Sequence, residues 1–226
     1  MIRVFIGYDH VEEVAYHTLC SSIMRYSSEP VSITPLMKHQ LIHLVNRPRE
    51  PEQSNEFTFT RWLVPYLCDY EGFAIFMDCD MLLRSDIAEL WAMRDNNYAV
   101  QCVKHNHVAA ESTKFLNQMQ TAYGKKNWSS VMIFNNDKCR ALTPGYVNVV
   151  PRLKLHQFGW LFDRENCIGE LPREWNHLVN VEEHNPNAKN VHFTLGGPYF
   201  NETSDCPFSE EWMSEFLYST HCEQIS

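Results

Sequence analysis

The sequence of 226 residues is 44% hydrophobic, 13% aromatic and 21% charged, a profile that excludes an intrinsically disordered chain, a collagen-like repeat and a simple coiled coil. Its 19 lysine and arginine residues against 28 aspartate and glutamate residues give a formal net charge of −9, the wrong sign for wrapping a nucleic-acid backbone. We therefore expect no nucleic-acid partner, and an anionic ligand would need a metal ion between the like charges.

Apolar runs stay shorter than the roughly 18 residues that a membrane span requires, so we expect no transmembrane segment. The apolar start from Ile2 to Gly7 is too short before Asp9 for a signal peptide and predicts a strand. The eight cysteines form no CxxC pair and no zinc-ligand spacing, which is typical of reduced thiols. We therefore expect a cytoplasmic protein, and the sequence leaves a monomer and a homo-oligomer open.

Apolar runs of strand length alternate with segments of helical period in the first part of the chain. The expected elements there are a strand at Val4–Tyr8, a helix from Val11 to Arg25, a strand at Val31–Leu36, a helix at Phe57–Cys68 bent by Pro65, a strand at Phe73–Met77 and a helix at Asp86–Met93 capped by Ser85. The polar stretch from Asn46 to Asn55 predicts a loop and a mobile flap.

The later part of the chain is less regular. The expected elements there are strands at Tyr98–Val103 and Val131–Phe134, a helix from Ser112 to about Tyr123, and a final helix at Ser209–Ser219. The alternation predicts an α/β fold with a mixed, mostly parallel central sheet flanked by helices. Nothing in the composition marks a domain boundary, so we expect a single domain over residues 1–226.

Two aspartates, Asp78 and Asp80, follow the apolar run that ends at Met77. In a regular strand, side chains two residues apart share one face, which would bring the carboxylates together. Like charges raise each other's pKa, and a divalent cation relieves the conflict and can grip a diphosphate. The carboxyl end of an open α/β sheet is also a common ligand site. The pattern favours a metal site, and a solvated turn is the alternative.

A histidine, His192, stands between apolar neighbours shortly before Gly196 and Gly197. The two glycines allow backbone N–H groups to approach a phosphate, and an imidazole can complete a Mn²⁺ or Mg²⁺ shell. From these residues alone, a metal ligand and a hydrogen-bonded core histidine are equal alternatives.

Two polar segments offer groups that could bind a sugar. One runs from Asn127 through Ser129 to Ser130 just before a strand, and the other ends in Trp175 and Asn176. Small polar residues can line a sugar pocket and a tryptophan can stack under a pyranose, but a polar turn and a Trp-anchored loop are the commoner interpretations.

Taken in order, these segments resemble the GT-A glycosyltransferases, most closely family 8, the glycogenin-like and galactosyltransferase-like retaining enzymes. The resemblance runs from Ile2 to about Phe200. It implies a single GT-A (Rossmann-like) domain, with a nucleotide-binding part over about 1–104 and a sugar and acceptor part over about 105–226.

The resemblance also implies roles for particular residues. The nucleotide would contact Gly7, Tyr8 and Asp9, and the metal would be held by Asp78, Asp80 and His192, with Asp78 also reaching the ribose. The sugar pocket would be lined by Asn127, Ser129 and Ser130. The phosphate would contact Gly196 and Gly197. Gln157 would face the anomeric carbon as a positioning group. Arg61 would stabilise the leaving diphosphate, or alternatively pair with one of the two aspartates.

Three positions depart from the family pattern. Ser130 replaces the usual glycine, His156 stands where the family has an aspartate, and Gly197-Pro198-Tyr199 replaces a Lys-Pro-Trp sequence. These departures affect the donor identity and the stereochemistry more than the general class.

The resemblance implies a Mn²⁺- or Mg²⁺-dependent glycosyltransferase that takes a sugar from a nucleotide-diphospho-sugar, with a UDP-sugar as the expected donor, and transfers it with retention. The acceptor is a glycan, a lipid-linked molecule or a protein, contacted by loops 46–55 and 105–110 and by the tail beyond residue 201. One alternative is a sugar-nucleotide nucleotidyltransferase, which the lack of any glycine but Gly7 before Gly72 opposes. The other alternative is a non-catalytic nucleotide-sugar or glycan-binding module.

Overall fold

The computed structural model of the protein describes residues 1–50, 53–106 and 125–220. The predicted helix from Ser112 to Tyr123 lies outside the described residues, as do residues 107–110 of the predicted acceptor loop. Among the residues that the structure describes, none of the helices combines the length and the apolar character that a membrane span requires. Every cysteine in the same ranges is a free thiol.

Strands and helices alternate along the chain. The strands are β1 (Ile2–Gly7), β2 (Val31–Leu36), β3 (Phe73–Met77), β4 (Met81–Leu83), β5 (Val100–Cys102), β6 (Val131–Asn135), β7 (Ile168–Glu170), β8 (His177–Leu178) and β9 (Asn190–His192). The α-helices are α1 (Glu13–Tyr26), α2 (Val64–Leu67), α3 (Ile87–Ala92), α4 (Pro144–Val149), α5 (Arg152–His156), α6 (Arg164–Cys167) and α7 (Ser209–Thr220). Short 3₁₀ helices include His10–Glu12, Thr60–Leu63 and Arg173–Asn176.

Six strands form the central sheet in the order β2-β1-β3-β6-β5-β7. β1 runs parallel to β2 and β3, and β5 runs parallel to β7, whereas β6 is antiparallel to both β3 and β5. In β3, the residues from Ala74 to Met77 are all buried, as expected for a strand covered on both faces. The predicted α/β fold with a mixed, mostly parallel sheet is confirmed.

A second sheet, in the order β4-β9-β8, brings the C-terminal part of the chain to the end of β3. Met81 of β4 pairs with His192 of β9 in antiparallel register. The N–H of Phe193 donates to the carbonyl of Asp80 at 2.8 Å. This register places His192 beside the two aspartates although they are far apart in the sequence.

Two local predictions about helices are wrong. Asp86, and not Ser85, caps α3, because the Asp86 carboxylate accepts the N–H of Ala88 at 2.9 Å. Pro65 lies in the first turn of α2 and does not bend a continuous helix, because a proline there gives up an N–H that has no partner within the helix. β2 and β3, in contrast, have the predicted bounds.

Candidate functional site

The two aspartates lie in the bend that joins β3 to β4. The N–H of Asp78 donates to the carbonyl of Ser130 at 2.9 Å, which extends the β3–β6 pairing by one residue. Both side chains are buried, Asp78 with 6% and Asp80 with 9% of its surface exposed. A bend, and not the regular strand assumed from the spacing, therefore holds the pair together.

Asp78, Asp80 and His192 converge on one point. The Nε2 atom of His192 lies 3.3 Å from Oδ1 of Asp80 and 3.9 Å from Oδ2 of Asp78. One side-chain ligand atom from each residue lies within 4.8 Å of the others. Two carboxylates and an imidazole are a ligand set that suits Mn²⁺ or Mg²⁺.

Arg61 contacts this cluster from the 3₁₀ helix that precedes α2. Its Nη1 atom lies 2.8 Å from Oδ1 of Asp78 and donates to the carbonyl of Ser129 at 2.7 Å. The contact with Asp78 is an ion pair without hydrogen-bond alignment, so Oδ1 of Asp78 is a buried oxygen with no hydrogen-bond donor among the described residues. An oxygen in that state fits a cation-binding role.

The electrostatics of Asp78 also favour a bound cation. Burial raises the pKa of the Asp78 carboxyl, and Asp80 raises it further, while the Arg61 guanidinium and His192 lower it. One arginine therefore does not offset the desolvation of two adjacent carboxylates. A divalent cation would stabilise their ionised forms.

His156 supports the cluster from behind. Its Nδ1 atom lies 2.9 Å from the Ser129 hydroxyl, and its ring packs edge-on against Trp62 at 5.5 Å between centroids. Burial lowers the pKa of His156 well below its ordinary value, and the charges of Arg61 and Arg152 lower it further. A neutral imidazole at this position shares a hydrogen bond with the Ser129 hydroxyl without adding charge beside Arg61.

Sequence comparison decides the family. The profile described as Glycosyl transferase family 8 matches residues 1–143. The chain belongs to glycosyl transferase family 8. A curated relative, Protein CDI of Arabidopsis thaliana, is 42% identical over 222 residues, which are 94% of this chain and 85% of that protein. The chain is therefore a glycosyltransferase, as the resemblance implied.

Solved structures show the same fold. The galactosyltransferase LgtC, solved with donor and acceptor sugar analogues, has a TM-score of 0.64 at 11% identity and covers 99% of this chain and 98% of its own. The bifunctional glycosyltransferase WbbM has a TM-score of 0.65 at 17% identity, and this chain spans about half of its length, 49%. GlyE of Streptococcus pneumoniae has a TM-score of 0.62 at 13% identity and covers 96% of this chain and 61% of its own. The GT-A fold is confirmed.

The first residues that are predicted to contact the nucleotide lie at the end of β1. Gly7 packs so closely against Phe57 that an added Cβ would lie 2.2 Å from its ring. The Asp9 carboxylate accepts the N–H groups of Val11 and Glu56, both at 3.1 Å. Tyr8 is largely buried, at 9% exposed. The contact of Gly7, Tyr8 and Asp9 with a nucleotide stays a prediction.

The predicted sugar-pocket residues lie at the entrance to β6. Asn127 has a left-handed backbone with φ of 63°, and Ser129 and Ser130 are buried. The Ser130 hydroxyl lowers the pKa of Asp78, so the residue that replaces the usual glycine faces the aspartate. Gln157 follows α5 immediately after His156. Their contact with a sugar stays a prediction.

The glycine loop after His192 is tightly packed. The N–H of Gly196 donates to the carbonyl of Phe193 at 2.8 Å. This N–H was predicted to contact phosphate, and it is already hydrogen-bonded within the loop. A Cβ added to Gly197 would lie 2.3 Å from the ring of Tyr199. The phosphate contact stays a prediction for Gly197.

A hydrogen-bonded pair that sequence analysis missed lies beside this loop. The hydroxyl of Tyr199 donates to the Glu12 carboxylate at 2.7 Å across 187 positions of sequence. Burial raises the pKa of Tyr199 well above its ordinary value, and the charges of Glu12 and Asp80 raise it further. The helical period of the segment around Glu12 could not reveal this partner. The departure Gly197-Pro198-Tyr199 from the family pattern was the available signal.

Proposed function

We propose that this family 8 glycosyltransferase is divalent-metal dependent and takes its sugar from a nucleotide-diphospho-sugar, with a UDP-sugar as the donor. The observation that carries the proposal is the convergence of Asp78, Asp80 and His192 at the carboxyl end of β3. LgtC, which has the same fold, was solved with donor and acceptor sugar analogues, and this supports a sugar donor for the present chain. The acceptor is a glycan, a lipid-linked molecule or a protein.

Asp80 and His192 would hold Mn²⁺ or Mg²⁺, and Asp78 would contact both the metal and the ribose. When bound, the ion supplies positive charge against the leaving diphosphate. The protein has a formal net charge of −9, so local positive charge is required to hold a diphosphate.

Arg61 acts in this proposal as a positioning residue. It is only 3% exposed and its guanidinium contacts Asp78 and the carbonyl of Ser129, which supports the pairing alternative over direct phosphate contact. One guanidinium nitrogen, Nη1, contacts the Asp78 carboxylate, and the charge of Arg61 lowers the pKa of Asp78, which burial raises.

The remaining predicted residues contact the sugar and the nucleotide. Gly7, Tyr8 and Asp9 contact the nucleotide, Asn127, Ser129 and Ser130 line the sugar pocket, and Gly197 contacts the diphosphate. Gln157 faces the anomeric carbon. Transfer proceeds with retention, the acceptor oxygen attacking from the face that the diphosphate leaves and giving its proton to a diphosphate oxygen.

The wider properties of the protein are proposed on the sequence. We place the nucleotide-binding part at about 1–104 and the sugar and acceptor part at about 105–226 of a single domain. The free thiols of the described cysteines support a cytoplasmic location. A homo-oligomer is compatible with this proposal and can be tested by light scattering.

A thermal-shift screen tests the donor class. Purified protein is heated with UDP-, GDP- and ADP-sugars, each with Mn²⁺ and with EDTA. Because a ligand that binds only the native state raises Tm, a UDP-sugar should raise it with Mn²⁺ and much less with EDTA. If another nucleotide is preferred, the donor assignment is wrong. If no sugar nucleotide shifts Tm under either condition, the nucleotide-sugar proposal fails.

A further inference from the structure

Asn176 is a fully buried amide that lies between His192 and the entrance to the predicted sugar pocket. Its Oδ1 atom lies 2.9 Å from Nδ1 of His192. Its Nδ2 atom donates to the backbone carbonyl of Asn127 at 3.1 Å. The residue ends the 3₁₀ helix Arg173–Asn176, a segment expected from the sequence to be a loop.

The carbonyl of Asn127 determines which way this amide points. A backbone carbonyl only accepts hydrogen bonds, so the amide nitrogen of Asn176 must face it. The amide oxygen therefore faces His192, and because that oxygen also only accepts, Nδ1 of His192 must carry a proton. In a neutral imidazole, the lone pair is then on Nε2, the atom 3.3 Å from Asp80.

We propose that Asn176 is a positioning residue that keeps a proton on Nδ1 of His192, so that Nε2 faces the two aspartates as a metal ligand before any metal arrives. The inference rests on the proposed metal site and deepens it. Hydrogen bonds from the second nitrogen of a ligating histidine orient the ring, and their loss lowers metal affinity. The same amide ties the metal site to the turn at Asn127.

Replacement of Asn176 by leucine removes both hydrogen bonds at similar volume. Asn176→Asp keeps an acceptor for the Nδ1 proton, replaces the donor to Asn127 by a second acceptor and adds a negative charge. Asn136→Leu is the matched control, because Asn136 is also fully buried and its Nδ2 donates to the carbonyl of Glu71 at 3.1 Å, away from His192.

The first readout is the ¹⁵N signal of the His192 ring in the metal-free and Mg²⁺-loaded proteins, assigned with His192→Gln. We expect a protonated Nδ1 in the wild type, in Asn136→Leu and in Asn176→Asp, and loss of that preference in Asn176→Leu. An unprotonated Nδ1 in the wild type overturns the proposal, as does an unchanged ring signal in Asn176→Leu. If the leucine variant does not fold, the wild-type and aspartate signals still decide.

The second readout is the affinity for Mn²⁺ alone by calorimetry. Asn176→Leu should raise the Kd for Mn²⁺ by roughly 10- to 100-fold, whereas Asn136→Leu should leave it within about twofold. Equal Kd values for both leucine variants would reduce Asn176 to a structural role. If the wild type binds no Mn²⁺, the proposed metal function fails, and the ring signal still tests the tautomer separately.

Discussion

The Nη1 atom of Arg61 lies 2.8 Å from Oδ1 of Asp78 and 2.7 Å from the carbonyl oxygen of Ser129. One guanidinium therefore joins the proposed metal-binding bend after β3 to the predicted sugar-pocket segment before β6. Because one buried nitrogen contacts an acceptor in each segment, the relative position of the two segments depends on this side chain.

Arg61→Lys should keep the charge and lose the guanidinium group that contacts Asp78 and Ser129 together. We expect Mn²⁺-dependent hydrolysis of the UDP-sugar that the thermal-shift screen identifies to fall by about 10-fold or more, which corresponds to ~1.4 kcal/mol in the activation free energy. Binding of the donor should fall less than turnover. Arg84→Lys, which changes an arginine paired with Glu211 outside the site, is the control. Unaltered turnover in Arg61→Lys would contradict the positioning role.

His156 should make the protein less stable in acid. Burial holds the pKa of the folded imidazole well below 6.5, so the folded state binds fewer protons than the unfolded state and stability rises with pH in this range. Acidification from about pH 7.5 to about pH 5.5 should remove ~1.4 kcal/mol of unfolding free energy through this one group.

Urea denaturation at the two pH values measures that loss. His156→Asn has no titrating ring, so it should lose less stability on acidification than the wild type, whatever its stability at neutral pH. His39→Asn changes an exposed histidine and should retain the wild-type pH dependence. The same acid loss in His156→Asn as in the wild type would show that His156 is not the group responsible.

His192→Ala separates a metal ligand from a core histidine. Loss of a ligand should mainly remove the stabilisation that Mn²⁺ adds, because ligand binding stabilises the native state by mass action. Loss of a packed core group would lower Tm equally with Mn²⁺ and with EDTA. Differential scanning calorimetry under both conditions distinguishes the two, and an equal decrease would return His192 to a structural role.

Tyr199→Phe tests the hydrogen bond between Glu12 and Tyr199, which stands where the family pattern has a tryptophan. Removing a hydrogen bond to a buried carboxylate should lower the free energy of unfolding by about 1.5–3 kcal/mol. Tyr218→Phe, at an exposed position of α7, should change it by less than about 0.5 kcal/mol. Equal unfolding free energies for the two variants in urea would show that the contact with Glu12 contributes nothing to stability.

The sequence predicted a site at Asp78, Asp80 and His192, the aspartates from the buried apolar strand before them and His192 from the family resemblance, and the structure brings the three together. The sequence also placed β3 correctly, since an apolar run of that length has few alternatives. The sequence could not decide whether Arg61 contacts phosphate or aspartate, because its partner depends on the packing of three separate segments.

Contacts between distant segments also could not be predicted from the sequence. The contact of His156 with Ser129 depends on how α5 packs behind β6, and no local period encodes it. The cap of α3 was misplaced by one residue, because Ser85 and Asp86 are both good capping residues and only the backbone geometry selects between them.

Titration calorimetry of UDP binding, with Mn²⁺ and with EDTA, tests the proposed metal site most directly. The wild type and Asp163→Asn, which exchanges one good capping residue for another at the exposed start of α6, should bind UDP at least about 10-fold more tightly with Mn²⁺. Asp80→Asn removes one ligand and one negative charge, so its UDP affinity should no longer depend on Mn²⁺. A wild-type affinity that is the same in EDTA, or a full Mn²⁺ dependence in Asp80→Asn, would contradict the assignment of Asp78, Asp80 and His192 as the metal site.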